Sequence, residues 1–279
     1  NGPLDLASQP IAPGTVLAEL DGVPILHNEH LNALLNRKAG APVELTFARQ
    51  PGATPSRTIV VPVSATAELE LAIDEWVERR AAMVERLSAG RLGYLYISEM
   101  DLANYQHAVD YTFGEGRDKE GLVIDVRYNR GGNIHDQLAA LFTGEVTADF
   151  FTRDGFHASR IPGKRWGKPS ILLANASSYS DGSIFPHLYQ RLKIGPIVGA
   201  SVPGTGTAVW WIELLNHNIK YGIPQIGAKD RETGWYENSE TVPDFPVYNS
   251  PADVAAGRDP QVETAVEQLL RGLPPPSRR

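Results

Sequence analysis

Two kinds of hydrophobic spacing divide the chain. Over residues 1–64, short apolar runs alternate with turn residues, which predicts a small, mostly β module with strands near 15–20, 23–26, 43–47 and 58–63. Over residues 66–87, apolar side chains recur every three to four positions, which predicts one long amphipathic helix. We therefore predict a first domain at residues 1–64 and a connecting helix at residues 65–90.

After this helix, the pattern changes to apolar runs separated by helical segments. Such runs lie near residues 93–97, 121–127, 171–174 and 196–199. Strands that are apolar throughout are typical of a parallel sheet covered by helices on its faces. The sequence therefore predicts an α/β (α+β) domain over residues 91–271, followed by a proline-rich, mobile tail at 272–279.

The segment at residues 171–182 reads as a buried strand, a tight turn and the start of a helix. Ser180 falls at or just before the helix start, where free backbone N–H groups and the helix dipole favour developing negative charge. A serine nucleophile could use such a position. The alternative is that Ser180 or Asp181 only caps the helix, and this stretch alone leaves both interpretations open.

A second loop, at Gly131-Gly132, also follows a predicted strand and precedes a predicted helix. Adjacent glycines leave backbone N–H groups uncovered by side chains, so this loop could supply the donors of an oxyanion hole. A plain tight turn is the alternative. Both loops lie at the C-terminal ends of predicted strands, where layered α/β folds usually bind their ligands.

The amino-acid composition argues against some classes of binding partner. The 279 residues carry a net charge of −7, which disfavours nucleic acid because its backbone needs a basic protein face. No apolar run approaches the roughly 20 residues of a membrane span, so we predict no membrane partner. The absence of cysteine excludes disulfides, thiolate chemistry and cysteine-ligated zinc.

Metal and cofactor motifs are weak throughout. His27 and His30 are three positions apart, but without further ligands they are better explained as exposed residues at a helix start. No dinucleotide fingerprint or phosphate loop occurs. We therefore predict neither a metal ion nor a cofactor.

Four motifs, taken in order, resemble the catalytic domain of the tail-specific (C-terminal processing) protease superfamily; they lie at residues 93–97, 122–132, 175–182 and 259–261. The pattern is most similar to the tricorn core protease branch, in which a PDZ domain precedes this domain. Residues 16–25 resemble a stretch of PDZ domains, which bind extended peptides by strand addition. The resemblance covers nearly the whole chain and implies a ClpP/crotonase-like serine peptidase.

The resemblance also implies roles for single residues. Ser180 corresponds to the nucleophile, and the backbone N–H groups of Gly132 and Asp181 correspond to the oxyanion hole. Glu237 lies in a stretch that resembles the segment whose glutamate orients the base. Together these residues imply acyl transfer through a Ser180 acyl-enzyme.

The general base is where the chain departs from its relatives. The C-terminal processing peptidases use a lysine, and the corresponding stretch at residues 199–207 has none. The tricorn branch takes a histidine and a second serine from a segment before the PDZ domain. We expect this chain to begin inside a longer protein, the base to come from upstream, and the isolated fragment to be weakly active. His135 and His187 are the remaining candidates.

The predicted substrate specificity also differs from that of the tricorn branch. Phe151 stands where that branch has an acidic residue, which favours basic residues before the cleaved bond. Asp149 and Asp154 lie nearby, and an apolar preference follows if Phe150 or Phe151 lines the pocket. The implied partners are peptides or unfolded polypeptides, with a possible homo-oligomer, in the cytoplasm or alternatively the periplasm. Two other hypotheses stay open: a catalytically silent peptide-binding module, and a different acyl-processing enzyme of crotonase-like architecture.

Overall fold

A computed structural model describes residues 2–9, 11–26, 31–50, 52–144 and 146–275. The chain divides into two compact units, Asn1–Glu78 and Arg79–Arg279. The boundary between them falls inside one long helix at Ala65–Leu87, within the segment that the sequence predicts as a connection. Among the described residues, no helix combines the length and the apolar character needed to cross a bilayer.

The first unit is built on a four-stranded antiparallel sheet with the strand order β2-β1-β3-β4. Its core consists of Leu20, Val43, Leu45 and Val60, which the alternating strands place on one face. The elements are β1 (Val16–Leu20), β2 (Val23–Pro24), α1 (Leu31–Leu35), β3 (Val43–Ala48), β4 (Ser56–Val60) and the start of α2 (Ala65–Leu87).

The second unit contains the rest of α2 and the elements that follow it. In chain order these are β5 (Leu92–Tyr96), α3 (Leu102–Phe113), a 3-10 helix (Glu115–Asp118), β6 (Gly121–Asp125), α4 (His135–Phe142), β7 (Ala148–Phe151), β8 (His157–Ile161), β9 (Ser170–Ala174), α5 (Asp181–Arg191), β10 (Ile197–Gly199), β11 (Ala208–Glu213), β12 (Lys220–Ile226), β13 (Lys229–Asp230), β14 (Gly234–Trp235), β15 (Phe245–Pro246), α6 (Pro251–Ala255) and α7 (Pro260–Arg271).

A five-stranded parallel sheet forms the centre of this unit, with the order β15-β10-β9-β6-β5. Every residue of β6, β9 and β10 is buried, which explains why these strands are almost entirely apolar in sequence. Helices α3, α4 and α5 contribute apolar side chains to the same core, including Leu138, Phe185 and Tyr189. The layered α/β arrangement fits the predicted fold class.

Three two-stranded hairpins, β7–β8, β11–β12 and β13–β14, complete the unit. Trp210 and Trp211 lie next to each other on β11, so they point to opposite faces, and both are exposed. The apolar pattern does not predict β7 and β8, because all their residues are exposed. In the predicted tail, the carbonyl of Pro274 accepts a hydrogen bond from Arg91, and residues 276–279 lie outside the described part.

Candidate active site

Three loops leave the same edge of the parallel sheet. We call them the glycine loop (residues 128–133, after β6), the serine turn (residues 175–180, after β9) and the threonine loop (residues 203–207, after β10). Strands β6, β9 and β10 are parallel neighbours, so their C-terminal ends meet at one edge. This arrangement brings Gly132, Ser180 and Asp181 into one neighbourhood.

Ser180 has an unusual backbone at the start of α5. Its φ of 52° and ψ of −125° lie in a region that residues with a side chain rarely adopt, at a cost of about 1–3 kcal/mol. It occupies the N-cap position, yet its hydroxyl makes no capping hydrogen bond to α5. The interpretation of Ser180 as a simple helix cap is therefore wrong, and the half-buried hydroxyl is not used to hold the helix.

A closed set of hydrogen bonds holds this backbone in place. The Ser180 N–H donates to Thr205 Oγ1 over 3.0 Å, and Thr205 Oγ1 donates to Ser183 Oγ over 3.1 Å. Ser183 Oγ then donates to the Ser180 carbonyl over 2.8 Å. We call these three residues the hydroxyl ring. Neither Thr205 nor Ser183 has a role predicted from the sequence: Ser183 is three residues from Ser180, but Thr205 is 25 residues away.

The glycine loop packs directly against Ser180. A Cβ atom on Gly131 would lie 2.6 Å from Ser180 Cβ, and the φ of Gly131 is +98°, so no other residue fits here without movement. The loop is tied to the serine turn by Asn129, which is completely buried. Its side-chain oxygen accepts from the Gly131 N–H, and its carbonyl accepts from the Tyr179 N–H, both over 2.9 Å. An Asn two residues before a Gly is the signal that predicts such a turn.

The two predicted oxyanion donors lie next to the predicted nucleophile. Asp181 is the residue after Ser180, and Gly132 follows the glycine that touches Ser180. Within the described ranges, neither the Gly132 N–H nor the Asp181 N–H donates a hydrogen bond to the protein. Both groups are therefore available to a ligand atom beside Ser180.

The Asp181 side chain has a separate role that the sequence does not predict. Its carboxylate is buried, and Oδ2 accepts from the N–H groups of Ile134 (2.8 Å) and His135 (3.2 Å) at the start of α4. Its Oδ1 contacts Nδ1 of the His135 ring. The interaction of its ring with the accepting Asp181 carboxylate raises the pKa of His135 above its ordinary value, although partial burial opposes this shift.

Glu237 lies against the threonine loop. Its exposed carboxylate accepts a hydrogen bond from Thr207 Oγ1, and the next residue, Asn238, donates its N–H to the Gly204 carbonyl over 3.0 Å. Glu237 therefore reaches the site through the loop that also carries Thr205. Within the described part of the chain, it makes no hydrogen bond to Ser180.

The two candidate histidines are occupied by acidic partners. His135 contacts Asp181, as described above. The Nε2 atom of His187 lies 3.3 Å from Asp230 Oδ2, and its ring centre lies 4.2 Å from that of Tyr236. Hydrogen bonds from the backbone of residues 233 and 232 hold the pKa of Asp230 well below its ordinary value. Neither histidine forms a hydrogen bond to Ser180 among the described residues.

Phe150 and Phe151 lie on β7, where both rings are exposed. Phe151 contacts the ring of His157 edge to face, at 5.4 Å between centroids, and His157 Nε2 lies 2.8 Å from Asp149 Oδ1. The pocket role of the two phenylalanines stays a prediction. The predicted pair of exposed histidines, at positions 27 and 30, lies outside the described residues.

Similarity to known proteins indicates the family to which this chain belongs. The profile of "Peptidase family S41" matches residues 91–247. "Tricorn protease homolog 1" of Streptomyces coelicolor is 31% identical over 277 residues, which cover 96% of this chain and 26% of that protein. "Tricorn protease homolog" of Saccharolobus solfataricus is 30% identical over 201 residues, 71% of this chain and 18% of that protein. The crystal structure of the tricorn protease superposes with a TM-score of 0.73 at 22% identity, covering 93% of this chain and 25% of that one.

The family match defines the class of protein to which this chain belongs. The chain belongs to peptidase family S41, and its resemblance to the tricorn proteases is confirmed by both sequence and fold. The predicted α/β class is confirmed as well. The chain spans about a quarter of the length of the first relatives it matches.

Proposed function

We propose that this chain carries the catalytic domain of a serine peptidase with Ser180 as nucleophile. The Ser180 Oγ attacks the carbonyl carbon of a peptide bond and loses its proton to a general base. The C–N bond then breaks, the amine leaves with a proton, and water hydrolyses the resulting ester. The observation that carries this proposal is the backbone of Ser180, which is held at a positive φ with a hydroxyl that caps nothing.

The oxyanion formed in this attack is stabilised by the backbone N–H groups of Gly132 and Asp181. Support comes from their place in the chain, because Asp181 follows Ser180 and Gly132 follows Gly131, which packs against Ser180. Neither N–H has another hydrogen-bond acceptor among the described residues. Such donors do not need to reorganise during the reaction, and removal of one donor in a related geometry lowers kcat by about 10²- to 10³-fold.

The general base, in this proposal, is a histidine supplied from outside these 279 residues and oriented by Glu237. His135 and His187 are each engaged by a carboxylate instead of by Ser180. General-base assistance is worth about 10²- to 10⁴-fold, so we expect slow turnover from this chain alone. The natural upstream segment, fused or added in trans, would restore the rate.

The proposed substrates are peptides or unfolded polypeptides. The first unit, with its four-stranded antiparallel sheet, acts as a PDZ-like module that adds an extended peptide to a sheet edge. The exposed rings of Phe150 and Phe151 favour apolar side chains before the cleaved bond. The full-length protein acts as a homo-oligomer in this proposal.

The test is covalent labelling by a fluorophosphonate probe, which forms a bond between its phosphorus and an activated serine Oγ as fluoride leaves. We expect labelling of the parent at Ser180 and none in Ser180→Ala, whose melting temperature should stay within a few degrees because no cap bond is lost.

A matched control is Ser250→Ala. Ser250 does cap its helix, since it accepts from the Asp253 N–H over 3.1 Å, so its loss should cost about 1 kcal/mol of stability and leave labelling intact. Labelling of Ser180→Ala at the parent's rate would exclude Ser180 as nucleophile. A parent that binds peptide but is never labelled would instead support the catalytically silent module.

A further inference from the structure

We propose that His135 and Asp181 form an ion pair that fixes the two oxyanion-hole amides relative to each other, with the protonated imidazole as a positioning group for peptide hydrolysis. The inference rests on the proposed function, because it assigns a role at the oxyanion hole of that reaction. His135 acts through Asp181 and does not touch the reacting atoms.

One carboxylate, that of Asp181, connects the segments that carry the two donors. Asp181 is the first residue of α5, and its own N–H is one donor. Its Oδ2 accepts from the N–H groups of Ile134 and His135, at 2.8 and 3.2 Å. Ile134 follows the other donor residue, Gly132, by two positions. The carboxylate therefore ties the start of α4, and with it the end of the glycine loop, to the residue after the nucleophile.

The buried negative charge of the Asp181 carboxylate needs a positive partner. Asp181 is only 2% exposed, and a buried anion without a partner is strongly unfavourable. It also lies one residue from the place where the reaction creates a second negative charge, so an uncompensated carboxylate would oppose catalysis. In the described part of the chain, His135 is the cationic side chain that contacts it.

The surroundings of His135 determine how its charge responds to pH. Asp181 raises its pKa above the ordinary value of 6.5, partial burial lowers it, and Asp136 also raises it. The carboxylate of Asp136 is 3.7 Å from Nε2 but largely exposed, so solvent screens its effect. The ion pair is complete below about pH 6.5 and is lost as the pH rises through the higher pKa of the folded protein. Its contribution to catalysis should disappear over the same range.

The test compares the rate of Ser180 labelling in the parent and in His135→Gln across pH. Below the pKa of His135 we expect the parent to react about tenfold faster, because only the parent carries the compensating cation. At a pH above the raised pKa of His135 the ratio should approach one, since both side chains are then neutral. The control is His107→Gln, which alters an exposed histidine on α3 and should give a ratio of one at every pH.

Two further variants separate positioning from folding. His135→Arg retains a cation over the whole range, so the loss of rate with rising pH should vanish. Asp181→Asn keeps the backbone donor but removes the charge, and NMR titration should show a lower pKa for His135 in this variant.

A parent-to-variant ratio that is equal at low and high pH would overturn the inference, as would a His135 pKa unaffected by Asp181→Asn. Failure of the proposed function looks different, because labelling would then not depend on Ser180 at all.

Discussion

Two clusters that contain buried carboxylates lie close to the C-terminal ends of the neighbouring strands β6 and β9. They differ in how their polar atoms are hydrogen-bonded. The first, which we call the ion cluster, joins Asp125 and Asp259 through Arg127, and all three side chains are at most 2% exposed. The second is the pair of Asp181 and His135 beside Ser180. The polar groups of the ion cluster stabilise the fold, whereas those beside Ser180 leave atoms without a hydrogen-bond partner, in the described part of the chain, for the proposed reaction.

In the ion cluster, the polar atoms are paired with each other. Arg127 Nη2 donates to Asp125 over 2.6 Å, and Nη1 donates to Asp259 over 3.0 Å and to Gln261 over 2.9 Å. Asp259 also caps α7 by accepting from the Val262 N–H. Burial by itself would lower the pKa of Arg127, but the two carboxylates outweigh it and raise the pKa. This cluster ties α7 to β6 and leaves no group for a substrate.

At Ser180, by contrast, hydrogen bonds hold the backbone and leave the reactive atoms free. The hydroxyl ring uses the N–H and the carbonyl of Ser180 but not its Oγ. The Asp181 carboxylate is fully engaged, while the Asp181 N–H has no acceptor among the described residues. Electrostatic preorganisation requires hydrogen-bond donors that are held rigidly and have no other acceptor, and the N–H of Asp181 meets this description.

The largest expected effect on stability comes from breaking the ion cluster. Arg127→Met should lower the free energy of unfolding by about 3–5 kcal/mol, because Asp125 loses its cationic partner while buried and Asp259 keeps only its pair with Arg80. Urea denaturation measures the change. Arg130→Met is the matched control, since this side chain is 75% exposed and its pair with Glu99 should contribute at most about 1 kcal/mol. Equal losses in the two variants would remove the proposed structural role of the cluster.

An intermediate effect is expected from the hydroxyl ring. Thr205→Val keeps the shape but removes the acceptor for the Ser180 N–H, so stability should fall by about 1–3 kcal/mol. The backbone of Ser180 can then relax, and kcat should fall more than KM rises. Peptide kinetics and thermal unfolding measure the two effects. Thr205→Ser restores a hydroxyl and should recover most of the rate; a Thr205→Val enzyme with unaltered kcat would contradict the role of the ring.

The smallest effect on stability is expected at Glu237, which is exposed. Glu237→Gln should change the free energy of unfolding by less than about 1 kcal/mol, yet lower kcat because the base loses its orienting charge. Kinetics of the full-length protein give the measurement. Glu240→Gln alters another exposed acid three residues away and should be neutral. If both variants keep the parent's kcat, Glu237 is only a solvated loop acid.

The sequence could predict the parts of the fold whose signals are local. The apolar runs of β6 and β9 and the strand-turn-helix around Ser180 are each contained in about a dozen residues. The two glycines likewise mark their loop without knowledge of the rest of the chain. The exposed hairpin β7–β8 escaped prediction because, with no buried face, its residues carry no alternating pattern.

The supporting contacts of the site could not be predicted in this way because they join distant positions. Thr205 is 25 residues from Ser180, and the Asp181 carboxylate bonds to the N–H of Ile134, 47 residues earlier. These pairs form only because β6, β9 and β10 are neighbours in the sheet, an order that hydrophobic spacing does not contain. Resemblance to a family can identify the candidate reacting residues. The residues that hold them in place can be identified only from the three-dimensional structure.

The positive φ of Ser180 has a consequence for directed evolution. Glycine adopts φ and ψ values of 52° and −125° more readily than serine does, so the backbone at this position is better suited to glycine than to the proposed nucleophile. A selection for heat resistance alone would therefore reward the loss of Ser180. Libraries built on this scaffold should hold codon 180 fixed and search for stabilising changes in the first unit and at exposed positions far from the serine turn.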